Sequence, residues 1–292
     1  MRLNRLRFWR PAGLAIALGA VTCIASFSAR ESRLSGAVVL VARSPEVQGF
    51  LRNPGTGYVQ AFVRFGADMP DDVIMFADHE WLEGVDQPKH VEGGDWMAFV
   101  GVQRGGGIWV GAGTNAALQG KASKDRDWKI FDLRQRLQAE VWYRLRVVAD
   151  FGQRRFKSFT IEGAALNRTF DLAGLPLDYP NYMPFSRAGM VYIVGAMRGR
   201  SMMKQVGTPI VYLDDVEGGI VHPDGTTLRL FFDSFERQDS VGAQPVTSPI
   251  IQSDRYEENK WYLERSESLF RIEKVPFART GARVGVADTD LN

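Results

Sequence analysis

Residues 140–150 read Glu-Val-Trp-Tyr-Arg-Leu-Arg-Val-Val-Ala-Asp, residues 155–163 read Arg-Phe-Lys-Ser-Phe-Thr-Ile-Glu-Gly, and residues 211–216 read Val-Tyr-Leu-Asp-Asp-Val. In the first segment Tyr143, Leu145, Val147 and Ala149 fall on one side of an extended chain, and Trp142, Arg144 and Arg146 on the other. A period of two with one apolar side is the pattern of a half-buried antiparallel strand, because successive side chains point to opposite faces. Asp150 and Gly152 supply turn chemistry, so the chain is expected to return through residues 156–161 to a second turn at Glu162-Gly163.

Working outward, residues 57–65 and 190–197 are similar strand-like stretches, and shorter β-rich runs lie near 94–102, 107–111, 128–131, 209–216 and 227–233. Asn53-Pro54-Gly55, Gly105-Gly106-Gly107 and Pro223-Asp224-Gly225 punctuate them as turns. Residues 132–139 alone have a helical composition. Many short strands separated by Gly and Pro turns predict an all-β chain built as an antiparallel two-sheet β-sandwich.

The Trp-Tyr strand, its turn Asp, the return strand ending in an acidic residue and Gly, and the later Val-Tyr-Leu-Asp-Asp-Val strand resemble the concanavalin A-like lectin/glucanase superfamily, in the manner of a LamG-like jelly roll. The resemblance covers most of residues 36–218. It implies the jelly-roll sandwich and leaves the activity open, since that superfamily includes lectins, hydrolases, lyases and inert spacer modules.

Arg2, Arg5, Arg7 and Arg10 precede an uncharged apolar run from Pro11 to about Ala29, a positive n-region before an h-region. Ser26 and Ser28 suit cleavage after Ser28, and Ala25 offers another cut. Residues 1–28 therefore read as a signal peptide of a secreted, periplasmic or cell-envelope protein, with an uncleaved membrane anchor helix and lipidation at Cys23 as the rival fates. Removing four arginines from a chain of net charge +2 leaves a mature protein near −2, without a basic run interleaved with aromatics, so no nucleic-acid partner is expected. Any membrane contact is expected only through the N-terminal segment. Cys23 is the single cysteine, which excludes disulfides, thiol catalysis and thiolate-ligated zinc from a form cut after it.

Asp78-His79-Glu80-Trp81-Leu82-Glu83 is the best candidate for acid–base chemistry, with His79, Glu80 and Glu83 as its members. It lacks the second His of the helical zinc-protease motif. Glycosidases of the resembling fold carry carboxylates at spacings of two on one strand, in a Glu-x-Asp-x-Glu triple that is absent here, and Glu80 and Glu83 would point to opposite faces of a strand. The expected reading of the cluster is a solvated acidic loop. Lyases of that fold carry Gln-x-His and Tyr-Phe-Lys-x-Gly, which His79, His90 and His222 do not reproduce, and no Gly-x-Ser-x-Gly elbow is present.

Sugar binding needs aromatic platforms beside polar groups, because a pyranose presents apolar C–H faces and directional hydroxyls. Trp96, Trp109, Tyr179, Tyr182 and Arg104 are the candidates, the two tyrosines within the proline-rich segment 176–184. The resemblance also implies a structural calcium at Asp214, Asp215, Asp233 and Glu236, against the alternative that these side chains cap turn amides. No other cofactor is required.

Residues 219–292 are less ordinary. Leu230-Phe-Phe-Asp-Ser-Phe-Glu236 resembles an opening strand, and residues 281–287 echo residues 36–42. Either the tail completes the sandwich of residues 36–218 or it is a partial second module; a half-built module would leave unpaired edges, which favours completion. The expected function is a non-catalytic extracytoplasmic module that binds carbohydrate or a cell-surface polymer. A glycan hydrolase or polysaccharide lyase and a purely structural sandwich are the alternatives.

Overall fold

The computed structural model describes residues 35–71, 73–83, 94–113, 127–181, 189–197, 210–237, 260–263 and 270–288, which form two antiparallel sheets packed face to face. The first sheet runs, in spatial order, β14 (Trp261–Leu263), β1 (Ser35–Ala42), β11 (Gly189–Met197), β3 (Ile74–Glu83), β4 (Gly94–Gln103), β5 (Gly107–Ala112) and β6 (Asp127–Asp132), with β10 (Asp178–Asn181) also paired to β4. The second runs β15 (Phe270–Lys274), β16 (Arg283–Asp288), β12 (Ile210–Val221), β2 (Thr56–Phe65), β7 (Trp142–Asp150), β8 (Arg155–Gly163) and β9 (Leu166–Asp171), with β13 (Thr227–Asp233) paired to β12. The all-β sandwich read from the sequence is therefore the fold. The N-terminal leader lies outside the described residues.

The alternation in residues 142–150 decides which face of β7 is inside. Tyr143, Leu145, Val147 and Ala149 are buried, while Trp142, Arg144 and Arg146 are half-exposed on the outer face. They meet Val59, Ala61, Val63 and Phe65 of β2 on the same side and pack against Met75, Ala77 and Trp81 of β3, Ala98 and Val100 of β4, and Tyr192 and Val194 of β11. Full burial of a large apolar side chain contributes roughly 1.5–3 kcal/mol, so this interlayer core is the main driving force for the fold. The turn after β7 forms as its residues suggested: the Gln153 amide donates to Asp150 Oδ1 at 2.9 Å, and Arg154 takes a left-handed φ of 56°.

Two local readings change. Of residues 132–139, Asp132 closes β6 and the rest are irregular rather than helical, because Arg134 and Glu140 have φ of 58° and 59°, which no right-handed helix admits. The amides of Leu133 and Leu137 donate instead to Gly106 O and Arg104 O, at 2.9 and 2.8 Å. The helix in the described residues is α1 (Pro45–Arg52). Ser44 caps it, Pro45 opens it and Glu46 sits in its first turn, while Val47, Phe50 and Leu51 form the buried stripe.

The C-terminal strands enter both layers: β14 borders β1, β16 lies between β15 and β12, and β13 pairs with the second half of β12. The two similar Val-rich segments lie in opposite sheets, as β1 and β16.

The outer face of the second sheet balances its charges. Arg146 lies 4.1 Å over Tyr58, Arg64 lies 4.0 Å over Phe277, and Arg279 lies 3.5 Å over Phe62. Arg144 pairs with Glu162, Arg64 with Glu140 and Arg279 with Asp215. Burial, with Glu217 beside it, pushes the Tyr58 phenol up to about 12.

Candidate functional site

Asp78, His79 and Glu80 are not a solvated loop. They are the middle of β3, paired on one side with Phe99, Ala98 and Met97 of β4 and on the other with Ile193, Tyr192 and Val191 of β11. The apolar residues on either side, Ile74 to Ala77 and Trp81-Leu82, continue the strand through the acidic positions, and the ladder on both edges outweighs their polarity. His79 shares the inner side with Met75, Ala77 and Trp81, whereas Asp78 and Glu80 share the outer side with Ile74 and Phe76. Their relative exposures are 1% for Asp78 and 6% for Glu80. Glu83 closes β3 opposite Gly94, and its side chain lies outside what is described.

Residues directly opposite in an antiparallel ladder project to the same face, so the outer face of the first sheet can be read in rows. One row is Val191, Glu80, Met97 and Asp178. The next contains Ile193, Asp78 and Phe99, and a third contains Gly195, Phe76, Gly101, Trp109 and Ile130. Asp178 is fully buried, and none of the three carboxylates is without a partner. Glu80 and Asp178 are two strands apart, which puts their Cα atoms about 10 Å from each other.

An aromatic cluster occupies the same face. Phe76 and Phe99 stack at 5.0 Å, Trp128 meets Phe99 edge-on at 5.3 Å, and Trp109 meets Trp128 at 6.0 Å. Phe76 and Phe99 are buried, while Trp109 and Trp128 are half-buried and Ile130 is 58% exposed. The open part of the cluster thus lies at the β5–β6 edge.

The other proposed ligand residues are dispersed. Trp96 faces the core opposite Trp81, 5% exposed, with the Arg154 guanidinium 4.1 Å over its ring; strand parity removes it as an open platform. Arg104 braces the preceding turn, donating to the Met69 and Ala67 carbonyls, and burial lowers its pKa. Tyr179 belongs to β10 but its side chain is not among those described, and Tyr182 lies outside the described residues. Of these candidates only Trp109 stands on the outer face of the first sheet, two strands from Asp78 and Glu80.

Three of the four acidic residues considered for calcium accept main-chain amides, and the fourth, Asp215, accepts from the Arg279 guanidinium at 3.4 Å. Asp214 Oδ2 accepts from Arg279 N and Thr280 N at 2.7 and 3.3 Å, and its Oδ1 from Asp215 N at 2.8 Å. Asp233 Oδ1 accepts from Phe235 N at 2.7 Å, and Glu236 Oε1 accepts the amides of Ala282 and Arg283. Burial outweighs these bonds at Asp214 and raises it to about 6; burial also raises Asp233. Among the described residues no group of three or more His, Cys, Asp or Glu is placed to hold a metal ion.

Sequence reading had not singled out Asp178, Trp128, Phe99 or Phe76, and had given Asp78 no role. The spacing of two between Asp78 and Glu80 was a visible signal once the segment is read as a strand. Asp178 carries no such signal, because its place beside Met97 comes from the β10–β4 pairing.

No family model matches the chain, and no match is found among curated proteins. Among solved structures it is similar to alginate lyase A1-II′, a member of polysaccharide lyase family 7, at 11% identity over 57% of this chain and 62% of that one, with a TM-score of 0.32. The chain thus spans about three fifths of that lyase. It is also similar to scytalido-glutamic peptidase, at 9% identity over 87% and 97% of the two chains with a TM-score of 0.35. A third likeness is to endo-β-1,4-glucuronan lyase from the fungus Trichoderma reesei, at 12% identity over 59% and 71% with a TM-score of 0.35. Likenesses of this size carry no assignment of activity to this chain.

Proposed function

We propose that this protein is an extracytoplasmic carbohydrate-binding module, and that its ligand lies on the outer face of the first sheet at the β5–β6 edge. The observation that supports this most is the half-open Trp109–Trp128 pair on the same face as Asp78 and Glu80. Indole faces suit the C–H faces of a pyranose. Binding is favoured over turnover because the carboxylates are closed off from solvent while the indoles are partly open. The leader reading puts the protein outside the cytoplasm, secreted or in the envelope, and the 214–236 acidic residues, engaged with main-chain amides and the Arg279 side chain, are read as turn caps rather than calcium ligands.

The test is a glycan array on the chain from Ala29 onward, with calcium and with chelator, reading bound ligand and released sugar from the same wells. Saturable binding without release is expected. Trp109→Ala should weaken it about 5- to 10-fold, the equivalent of roughly 1–1.5 kcal/mol for one aromatic contact. Trp96→Phe, on the core side, should leave affinity unchanged. Equal effects of the two substitutions, or no binding to any glycan, would remove the proposal.

One observation supports a second reading, glycan hydrolysis. Glu80 and Asp178 project from one face of the first sheet, and hydrolysis by such a pair requires the buried Asp178 carboxyl to open to water. Release of reducing ends, abolished by Glu80→Gln and by Asp178→Asn with binding retained, is the result this reading requires.

A further inference from the structure

His79 leaves β3 into the space between the sheets. Its imidazole stacks on Tyr192 of β11, with ring centres 4.5 Å apart and planes at 22°, and meets the edge of Phe151 at 4.6 Å. The second sheet closes directly onto it: a Cβ on Gly57 of β2 would lie 2.6 Å from His79 Cε1. The residue is 1% exposed, and among the described residues neither ring nitrogen has a hydrogen-bond partner; the neighbouring Tyr192 hydroxyl has none either.

Among the described residues no charge faces this ring to compensate a proton. From β11 the facing titratable group is Tyr192, a neutral phenol whose ionisation burial opposes. From β2, Gly57 brings none, and Tyr58 beside it directs its hydroxyl to Glu217 at 3.3 Å. Phe151 brings none. Asp78 and Glu80 flank His79 on its own strand but project from the opposite face of the sheet. An imidazolium at this point would be a buried charge with neither counter-ion nor acceptor, a state that folded proteins avoid by staying neutral or by opening.

We infer that His79 is an acid-release element in the interior of the sandwich: its imidazole takes up a proton only when β3 and β11 part from β2. Burial lowers its pKa from 6.5 to about 3. Because the folded value lies below the unfolded one, the unfolded chain binds the proton first as the medium acidifies. The stability held above pH 6.5 is therefore withdrawn progressively as pH falls towards about 3.

The experiment follows unfolding of the full chain by tryptophan fluorescence against pH, for wild type, His79→Phe and His79→Leu, and follows the histidine Cε1 protons of the wild type by NMR. The two variants should unfold about one pH unit or more lower than wild type. The Cε1 signal missing from their spectra should not titrate in the folded wild type between pH 7 and about 4. An unchanged acid midpoint in either folded variant overturns the inference. So does titration near 6.5 of all three histidine Cε1 signals in the folded wild type, an arm that needs no assignment and remains decisive if neither variant folds.

Discussion

A chain ended after Asn259 is expected to fail to form the sandwich, appearing insoluble or without a cooperative unfolding transition. Such a cut removes β14, β15 and β16, and with them Trp261, Tyr262, Phe270, Val284, Val286 and Ala287, all buried. Trp261 stacks on Phe235 at 5.9 Å and meets Phe231 edge-on at 6.3 Å, so its loss opens the core at the β12–β13 end. At roughly 1.5–3 kcal/mol for each large buried side chain, the loss is on the order of 10 kcal/mol. That is comparable with the whole stability of a typical domain, about 5–15 kcal/mol. The cut also bares the free edges of β1 and of the first half of β12, which invites aggregation. Expression and circular dichroism of residues 29–259 beside residues 29–292 decide it. A soluble shorter chain with the same unfolding midpoint would show that the C-terminal strands are an accessory.

Gly218→Ala is expected to be among the most damaging single methyl additions in the protein. The new Cβ would lie 2.4 Å from Tyr192 Cε1 and 2.5 Å from Phe231 Cε1, distances that real Cβ contacts do not reach. Neither ring has an easy retreat. Tyr192 is fully buried and stacked on His79, and Phe231 packs 4.5 Å from Tyr192. Overpacking of this kind costs about 1–3 kcal/mol or more. For a chain of this size it corresponds to a fall in Tm of roughly 3–10 °C. Gly174→Ala, with nothing within 4 Å of the added carbon, is the control and should leave Tm within about 1–2 °C. A Gly218→Ala protein as stable as that control would mean that the Tyr192–Phe231 packing is not as described.

How much was legible can be judged strand by strand. In β7 the side facing the core follows from the residues themselves, since aligning Tyr143, Leu145, Val147 and Ala149 needs no knowledge of any partner. The cap and stripe of α1 are equally written in Ser44, Pro45 and Glu46 followed by Val47, Phe50 and Leu51, but a helix of 8 residues is too short for its period to stand out among strands. In β3 local composition misled: two carboxylates and a histidine in three residues read as exposed loop, and only pairing on both edges makes them an interior strand. Residues 132–139 erred the other way, where helix-forming side chains serve a turn held by the amides of Leu133 and Leu137.

The class of fold is written locally, because alternation along one chain is a property that each strand carries in its own residues. Composition likewise limits what chemistry a thiol could contribute, since Cys23 is the single cysteine. Tertiary structure alone decided the candidate site. Asp178 joins Glu80, Trp128 joins Trp109, and His79 meets Gly57 through pairings and sheet packing between segments far apart in the chain. Those contacts are set by inter-strand register and by which inner faces meet, and neither is encoded in the spacing of residues along a single strand.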